Sequence, residues 1–160
     1  MLHINIVCIG KLKEKYMHEA IAEYSKRLSK YCHFNIIELP DEKVPDNLND
    51  SLASIIKAKE AEKIISHIEK NSYVVTLDLK GKQYTSEEFS KKISDISLNS
   101  SSNITFIIGG TLGLSDDVLK CSNELICFSK MTFPHQLIRL FLVEQIFRAF
   151  KISHNETYHR

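Results

Sequence analysis

The chain has 160 residues, 43% apolar and 26% charged, which suits one globular domain over residues 1–160 and argues against disorder. Its 21 basic and 20 acidic residues leave a net charge of +1, well short of a dedicated non-specific RNA coat, while a nucleic-acid partner stays open. The four cysteines form no Cys-x-x-Cys pair or metal-ligand spacing, Met1–Asn5 lacks the layout of a signal peptide, and no apolar run reaches membrane-spanning length. The expectation is a cytoplasmic protein with neither a metal nor a membrane association.

Short β-rich runs alternate with longer helical patterns. Residues 2–9 open the chain as an apolar run rich in Ile and Val, which suits a strand covered on both faces. Met17, Ile21, Tyr24, Leu28 and Tyr31 then recur at three- and four-residue spacing, the period of a helix face. A second strand is expected over 34–39, followed by the one long polar loop, 40–50, read as a plain connection. Leu52, Ile55, Ile56, Ile64, Ile65 and Ile68 mark the next helix, and 73–79 the third strand. Thr85-Ser86-Glu87-Glu88 is a capping box, with Thr85 at the N-cap and Glu88 reaching back. Strands over 104–108 and 125–128 flank a helix that starts at Ser115, where Asp116 and Asp117 favour the positive N-terminal end. Pro134 opens a last helix that runs to about Ile152. The order βαβαβαβαβα means an α/β fold: a three-layer sandwich with a mostly parallel sheet and helices on both faces.

The last helix carries apolar residues round most of its circumference, from Leu137 and Ile138 to Phe147 and Phe150, where a surface helix needs one stripe. In so small a chain this predicts burial on one side and pairing on the other, hence a homodimer through the C-terminal helix. Basic residues gather in two stretches. One is 11–30, with six against Glu14, Glu19 and Glu23; the other is 130–160, with Lys130, Arg139, Arg148, Lys151 and Arg160 against Glu144 and Glu156. Either could face an anionic ligand, but a solvated helix surface explains both as they stand.

Ligands of an open α/β sheet bind at the carboxyl ends of its strands. Three of the five glycines, Gly109, Gly110 and Gly113, fall at one such end, where glycine permits close backbone approach or positive φ. A tight turn with no ligand fits the same residues. The dinucleotide fingerprint and the P-loop are both missing, since only Gly10-Lys11 follows the first strand. No hydrolytic triad is legible. Of the seven histidines, His135 follows the third strand-end loop directly, and His159 belongs to the polar tail 153–160.

At these loops the chain resembles the ribosomal RNA large subunit methyltransferase H family (RlmH), a group of SPOUT methyltransferases, and most of all its staphylococcal-type members. The residues that carry the resemblance are Val7-Cys8-Ile9-Gly10-Lys11-Leu12-Lys13, Ile108-Gly109-Gly110-Thr111-Leu112-Gly113-Leu114, Ser129-Lys130-Met131-Thr132-Phe133-Pro134-His135-Gln136 and Tyr158-His159-Arg160. The resemblance implies a C-terminal trefoil knot, which general chain rules would not predict. It also implies S-adenosylmethionine as cofactor, bound by Leu77, Gly109, Phe128, Ser129, Lys130, Met131, Thr132 and Phe133. The implied substrate is a pseudouridine in the helix 69 loop of 23S rRNA, methylated at N3 on the assembled ribosome. N3 carries a proton that must leave, and His135, Tyr158 and His159 are the candidate acceptors, with Arg160 for a phosphate or an imide oxygen. The tail of one subunit is expected to complete the site of the other. A tRNA-directed reaction of the same fold and a non-catalytic RNA-binding dimer are the alternatives; a nucleotide-dependent oxidoreductase is weakened by the missing fingerprint.

Overall fold

A computed structural model describes residues 1–158. The elements alternate: β1 (His3–Ile9), α1 (Lys15–Leu28), β2 (His33–Leu39), α2 (Asp50–Ser66), β3 (Tyr73–Lys82), α3 (Ser86–Asn99), β4 (Asn103–Ile108), α4 (Asp116–Cys121), β5 (Glu124–Ile126) and α5 (His135–Ser153). The five strands form one sheet in the order β2-β1-β4-β3-β5, and every pairing is parallel. The expected α/β sandwich is therefore present, and its sheet is wholly parallel.

Alternate residues of each central strand feed the two faces. Ile4, Ile6, Cys8, Ile104, Phe106 and Ile108 point into a core shared with α1, α3 and α5. Val7, Ile9, Val74 and Ile107 point the other way, against α2 and α4. Both faces of β1 and β4 are covered, so their sequences are continuously apolar instead of alternating. Among the described residues no helix is long and apolar enough to cross a membrane.

The helix starts follow the chemistry of their first turns. Thr85 accepts the amide of Glu88, and Glu88 accepts the amide of Thr85, so the capping box is formed. Ser115 occupies the N-cap of α4 but makes no cap bond, and among the described residues its buried hydroxyl has no partner. Pro134 stands at the N-cap of α5, so the helix begins one residue later. Tyr31 lies beyond the end of α1 and stacks on Phe150 with ring centroids 5.4 Å apart.

The largest departure from expectation concerns β3 and β5. β3 runs on to Lys82, and β5 is only three residues long, ending before Cys127. The register between them shifts from Leu77 to Lys82 where both pair with Ile126. Gly81 permits this contact. A Cβ there would collide with the carbonyl carbon of Ile126, so only glycine lets the two backbones approach so closely. The Cys127 amide then donates to the Lys82 carbonyl, and the chain turns across the carboxyl ends of β3 and β4 to reach α5. This path is consistent with the trefoil knot implied by the resemblance.

α5 packs between α1 and α3. Leu142, Val143, Ile146, Phe147, Ala149 and Phe150 are buried, whereas Leu137 and Phe141 stay 37% and 40% exposed. The helix is thus covered on one side and open on the other. Arg139 contradicts the surface reading of the C-terminal basic stretch: it is 1% exposed. Its Nη1 donates to Glu38 Oε2 at 2.7 Å and its Nη2 to the Gly10 carbonyl at 3.0 Å. Arg148 pairs with Glu144 and Lys151 with Glu156, so these cations are engaged inside the chain and form no free anionic-ligand face.

Gly81→Ala should destabilise the protein by about 3 kcal/mol, the upper range for overpacking, because a backbone and not a flexible side chain blocks the new methyl. Urea unfolding measures it, and a midpoint equal to wild type would show that the crossing has room.

Candidate functional site

The parallel register sends the ends of β3, β4 and β5 to the same edge of the sheet. There Leu77–Lys80, Ile108–Leu114 and Ile126–Phe133 surround a crevice of about 360 Å³, closed by His135 and Ile138 from the first turns of α5. This size falls in the usual range for small-molecule sites. The structure brings together Leu77, Gly109, Phe128, Ser129, Met131, Thr132, Phe133 and His135. Lys130 sits between wall residues but is exposed and outside the wall. His159 and Arg160 lie outside the described residues.

The glycine loop has both properties weighed from sequence. It is a tight turn, with the Gly113 amide donating to the Gly110 carbonyl and Gly113 at φ +80°. It is also a close approach. A Cβ on Gly109 would meet Leu114 Cγ at 2.8 Å, and one on Gly110 would meet Ile9 Cγ2 at 3.0 Å and Glu60 Oε1 at 3.1 Å. The loop after β5 is folded on itself: Cys127 Sγ donates to the Ser129 carbonyl, and the Met131 amide donates to Ser129 Oγ. Two preformed loops and a helix start therefore face one another with apolar side chains between them.

His135 is half-buried in this wall. Burial, and then the nearby Arg139 guanidinium, hold its pKa below the ordinary 6.5. The imidazole is accordingly neutral at physiological pH and able to accept a proton.

Tyr158 stands elsewhere. Its hydroxyl donates to Glu144 Oε1 at 3.2 Å, its ring meets Phe147 edge-on at 5.0 Å, and the Arg148 guanidinium lies 4.9 Å from its centroid. Glu144 is nine residues beyond His135, about 13 Å along the helix at 1.5 Å per residue. Burial first, then Tyr24 and Glu144, push the Tyr158 phenol well above the usual range, so it stays a donor. Glu144 and Tyr24 line a second cavity of about 630 Å³ between α1, α3 and α5. That cavity shares Ile126–Ser129 and Phe133 with the crevice and opens beside exposed Phe141.

Asp78, Leu79 and Ile138 also line the crevice, though no role was expected for them. Register could have found the first two, since Thr76 pairs with Ile107 and the next positions must flank Gly109 and Gly110. The helical period links Ile138 to His135. Glu60 was missed entirely. It is buried behind Gly110, and its Oε2 accepts the Glu42 amide. Among the described residues no group of three His, Cys, Asp or Glu is placed to hold a metal ion.

Burial raises the Glu60 carboxyl above its ordinary 4.5, against the pull of the Glu42 amide and Lys63. A raised carboxyl pKa contributes stability that is complete below 4.5 and is lost as the pH climbs through the folded value. Glu60→Gln keeps the acceptor and removes the ionisation. It should therefore gain stability relative to wild type as the pH rises towards neutrality, which chemical unfolding at a series of pH values measures. Parallel curves for the two proteins would count against the assignment.

Residues 2–159 match the family described as predicted SPOUT methyltransferase. Proteins named ribosomal RNA large subunit methyltransferase H are similar along their full lengths. The one from Clostridium botulinum is 58% identical, and that from Clostridium acetobutylicum 56%; each alignment covers 99% of this chain and 100% of the relative. Among solved structures, a probable methylase family protein from Haemophilus influenzae aligns over 98% of this chain and 70% of its own, with a TM-score of 0.54 and 12% identity, a likeness of fold alone.

Proposed function

Since the chain belongs to the ribosomal RNA large subunit methyltransferase H family of SPOUT methyltransferases, we propose that it methylates N3 of a pseudouridine in the helix 69 loop of 23S rRNA, on the assembled ribosome and with S-adenosylmethionine as donor. The observation that carries this reading is the convergence of three strand ends and the start of α5 on one crevice containing a neutral imidazole. The relatives' names supply the large-subunit rRNA.

The residues present fit the donor. Gly109 and Gly110 offer backbone at a place where any Cβ would collide with its neighbours. Leu77, Phe128 and Phe133 give the crevice apolar walls, and Ser129, Met131 and Thr132 complete that side of the lining, with Lys130 between them in sequence. When bound, S-adenosylmethionine supplies an electrophilic methyl group. The protein's own residues hold that group in line with N3, which makes the encounter effectively unimolecular. As N3 takes the methyl group, its proton passes to the His135 imidazole.

A second subunit completes this site. Tyr158 binds to its own α5 well away from its own crevice, so the tail acts on the crevice of the partner. The open side of α5, with Leu137 and Phe141 exposed next to the second cavity, is the face through which the homodimer forms. With Tyr158 held on its own α5 by Glu144, the tail beyond it brings His159 and Arg160 to the crevice of the partner.

Ribosomes from a strain lacking this gene, incubated with the protein and S-adenosylmethionine, should gain one methyl group on the helix 69 pseudouridine by mass spectrometry. An unchanged fragment would refute the reading. His135→Asn should lower kcat by about 100- to 10,000-fold, the usual share of general base catalysis, with the donor Kd unchanged by calorimetry. The acid limb of the wild-type rate profile should lie below pH 6.5 and vanish in the variant. Removal of residues 158–160 should abolish methylation and spare donor binding, and full activity in that truncation would exclude a role for the tail.

A further inference from the structure

The turn between β1 and α1 is held far more firmly than a surface connection requires. The Gly10 amide donates to the Leu39 carbonyl at 2.7 Å, and the Gly10 carbonyl accepts Arg139 Nη2. The Leu12 amide donates to Glu38 Oε2 at 2.8 Å, the oxygen that also receives Arg139 Nη1. The Leu12 carbonyl bonds His18 Nε2 at 2.9 Å. Every one of these contacts engages backbone. The side chains of Lys11 and Lys13 are exposed, and among the described residues neither has an ion-pair partner. Glu14 is the one acid on the turn, and its side chain makes no cap bond to α1.

The turn also lies at the sheet edge that holds the crevice. β1 pairs with β4 so that Cys8 faces Ile108, which puts the carboxyl end of β1 next to that of β4. Ile9 is the side chain that a Cβ on Gly110 would strike. Arg139 lies one helical turn beyond His135, so the atom that grips Gly10 belongs to the same end of α5 as the crevice imidazole.

Arg139 is buried while the Glu38 side chain stays 30% exposed, and burying a charge in such a pair often stabilises a protein less than apolar residues of the same volume would. What the pair does secure is geometry: it fixes the backbone that carries Lys11 and Lys13 at the sheet edge that holds the crevice. We propose that this turn is an RNA docking surface, on which Lys11 and Lys13 contact backbone phosphates of the substrate strand next to the target base. The proposal rests on the reading that the substrate is RNA, and it assigns the contacts to residues outside the donor crevice. Held backbone and uncompensated cations suit phosphate, a ligand that positions a strand without reading its sequence. A solvated surface would leave the turn's backbone to water.

The test compares the full-length wild type with the double variant Lys11→Gln/Lys13→Gln. Binding to ribosomes lacking the modification is measured between about 50 and 200 mM salt, the range over which phosphate contacts are resolved. The variant should bind about tenfold more weakly at the low-salt end. Its slope of log K against log salt should be shallower by about 1.4, two contacts at about 0.7 each for a single strand. Donor affinity by calorimetry and subunit mass by light scattering should match wild type. A wild type that methylates ribosomes, beside a variant with the same affinity and slope, overturns this surface alone. A variant that has lost its dimer overturns it too, because the lysines then serve a protein contact. A wild type that neither binds nor methylates ribosomes overturns the functional reading as well.

Discussion

The Arg139–Glu38 pair ties the last helix to the first two strands, across a hundred residues of sequence. α5 has almost no apolar gradient to orient it, because apolar side chains surround most of it. Hydrophobic burial alone would let such a helix rotate or slide at small cost. A guanidinium buried to 1% exposure removes that freedom, since any rotation leaves a charge in the core without its carboxylate. The pair therefore sets the rotation of α5, and through it the position of His135 one turn earlier. Among the described residues its remaining Nε has no partner, and neither has the buried Oε1 of Gln136, so the polar chemistry at this end of α5 is not exhausted by the ion pair.

The crevice depends on a second constraint, which is steric. β5 is too short to be held by its own ladder, and three residues of pairing would ordinarily be a weak edge. It is kept in place by the backbone crossing at Gly81 and by the bond from Cys127 to Lys82. From there the loop to α5 must lie over the ends of β3 and β4, since α5 starts on the far side of them. The same path that is compatible with a knot thus forms the third wall of the crevice. A chain whose connections avoided one another would leave this edge of the sheet open.

These two constraints mark the border of what the sequence made legible. Strand runs, the Thr85 capping box and the parallel, doubly covered sheet follow from local pattern, because local pattern is what they are made of; the face expected for α2 holds only in part, since Ile55 and Ile65 are exposed. The crevice walls were also legible, since strand ends in such a sheet converge by rule. Arg139 was not, because nothing local distinguishes a buried arginine from a solvated one; its partner stands on β2. Gly81 was passed over for the same reason, since its meaning lies in Ile126. The register shift beyond Leu77 turned a predicted strand end at Leu79 into a longer strand and shortened its neighbour. Tyr158 carried the family's tail motif, yet its contacts with Glu144 and Phe147 belong to the tertiary fold.

The charge balance illustrates how a total can mislead. A net charge of +1 implies little attraction for a polyanion, and both basic stretches read from sequence as solvated helix surfaces. In the structure the C-terminal cations are paired: Arg139, Arg148 and Lys151 each hold a carboxylate. Cations that are already paired add little to the field outside the protein, because each is seen from a distance together with its partner. Lys11, Lys13, Lys80 and Lys130 belong to no ion pair among the described residues, and each follows or adjoins a carboxyl end of the sheet. An approaching strand meets these four lysines at the sheet edge that holds the crevice. Affinity built from so few contacts must be supplemented by shape, which is consistent with a target offered by a large assembled particle.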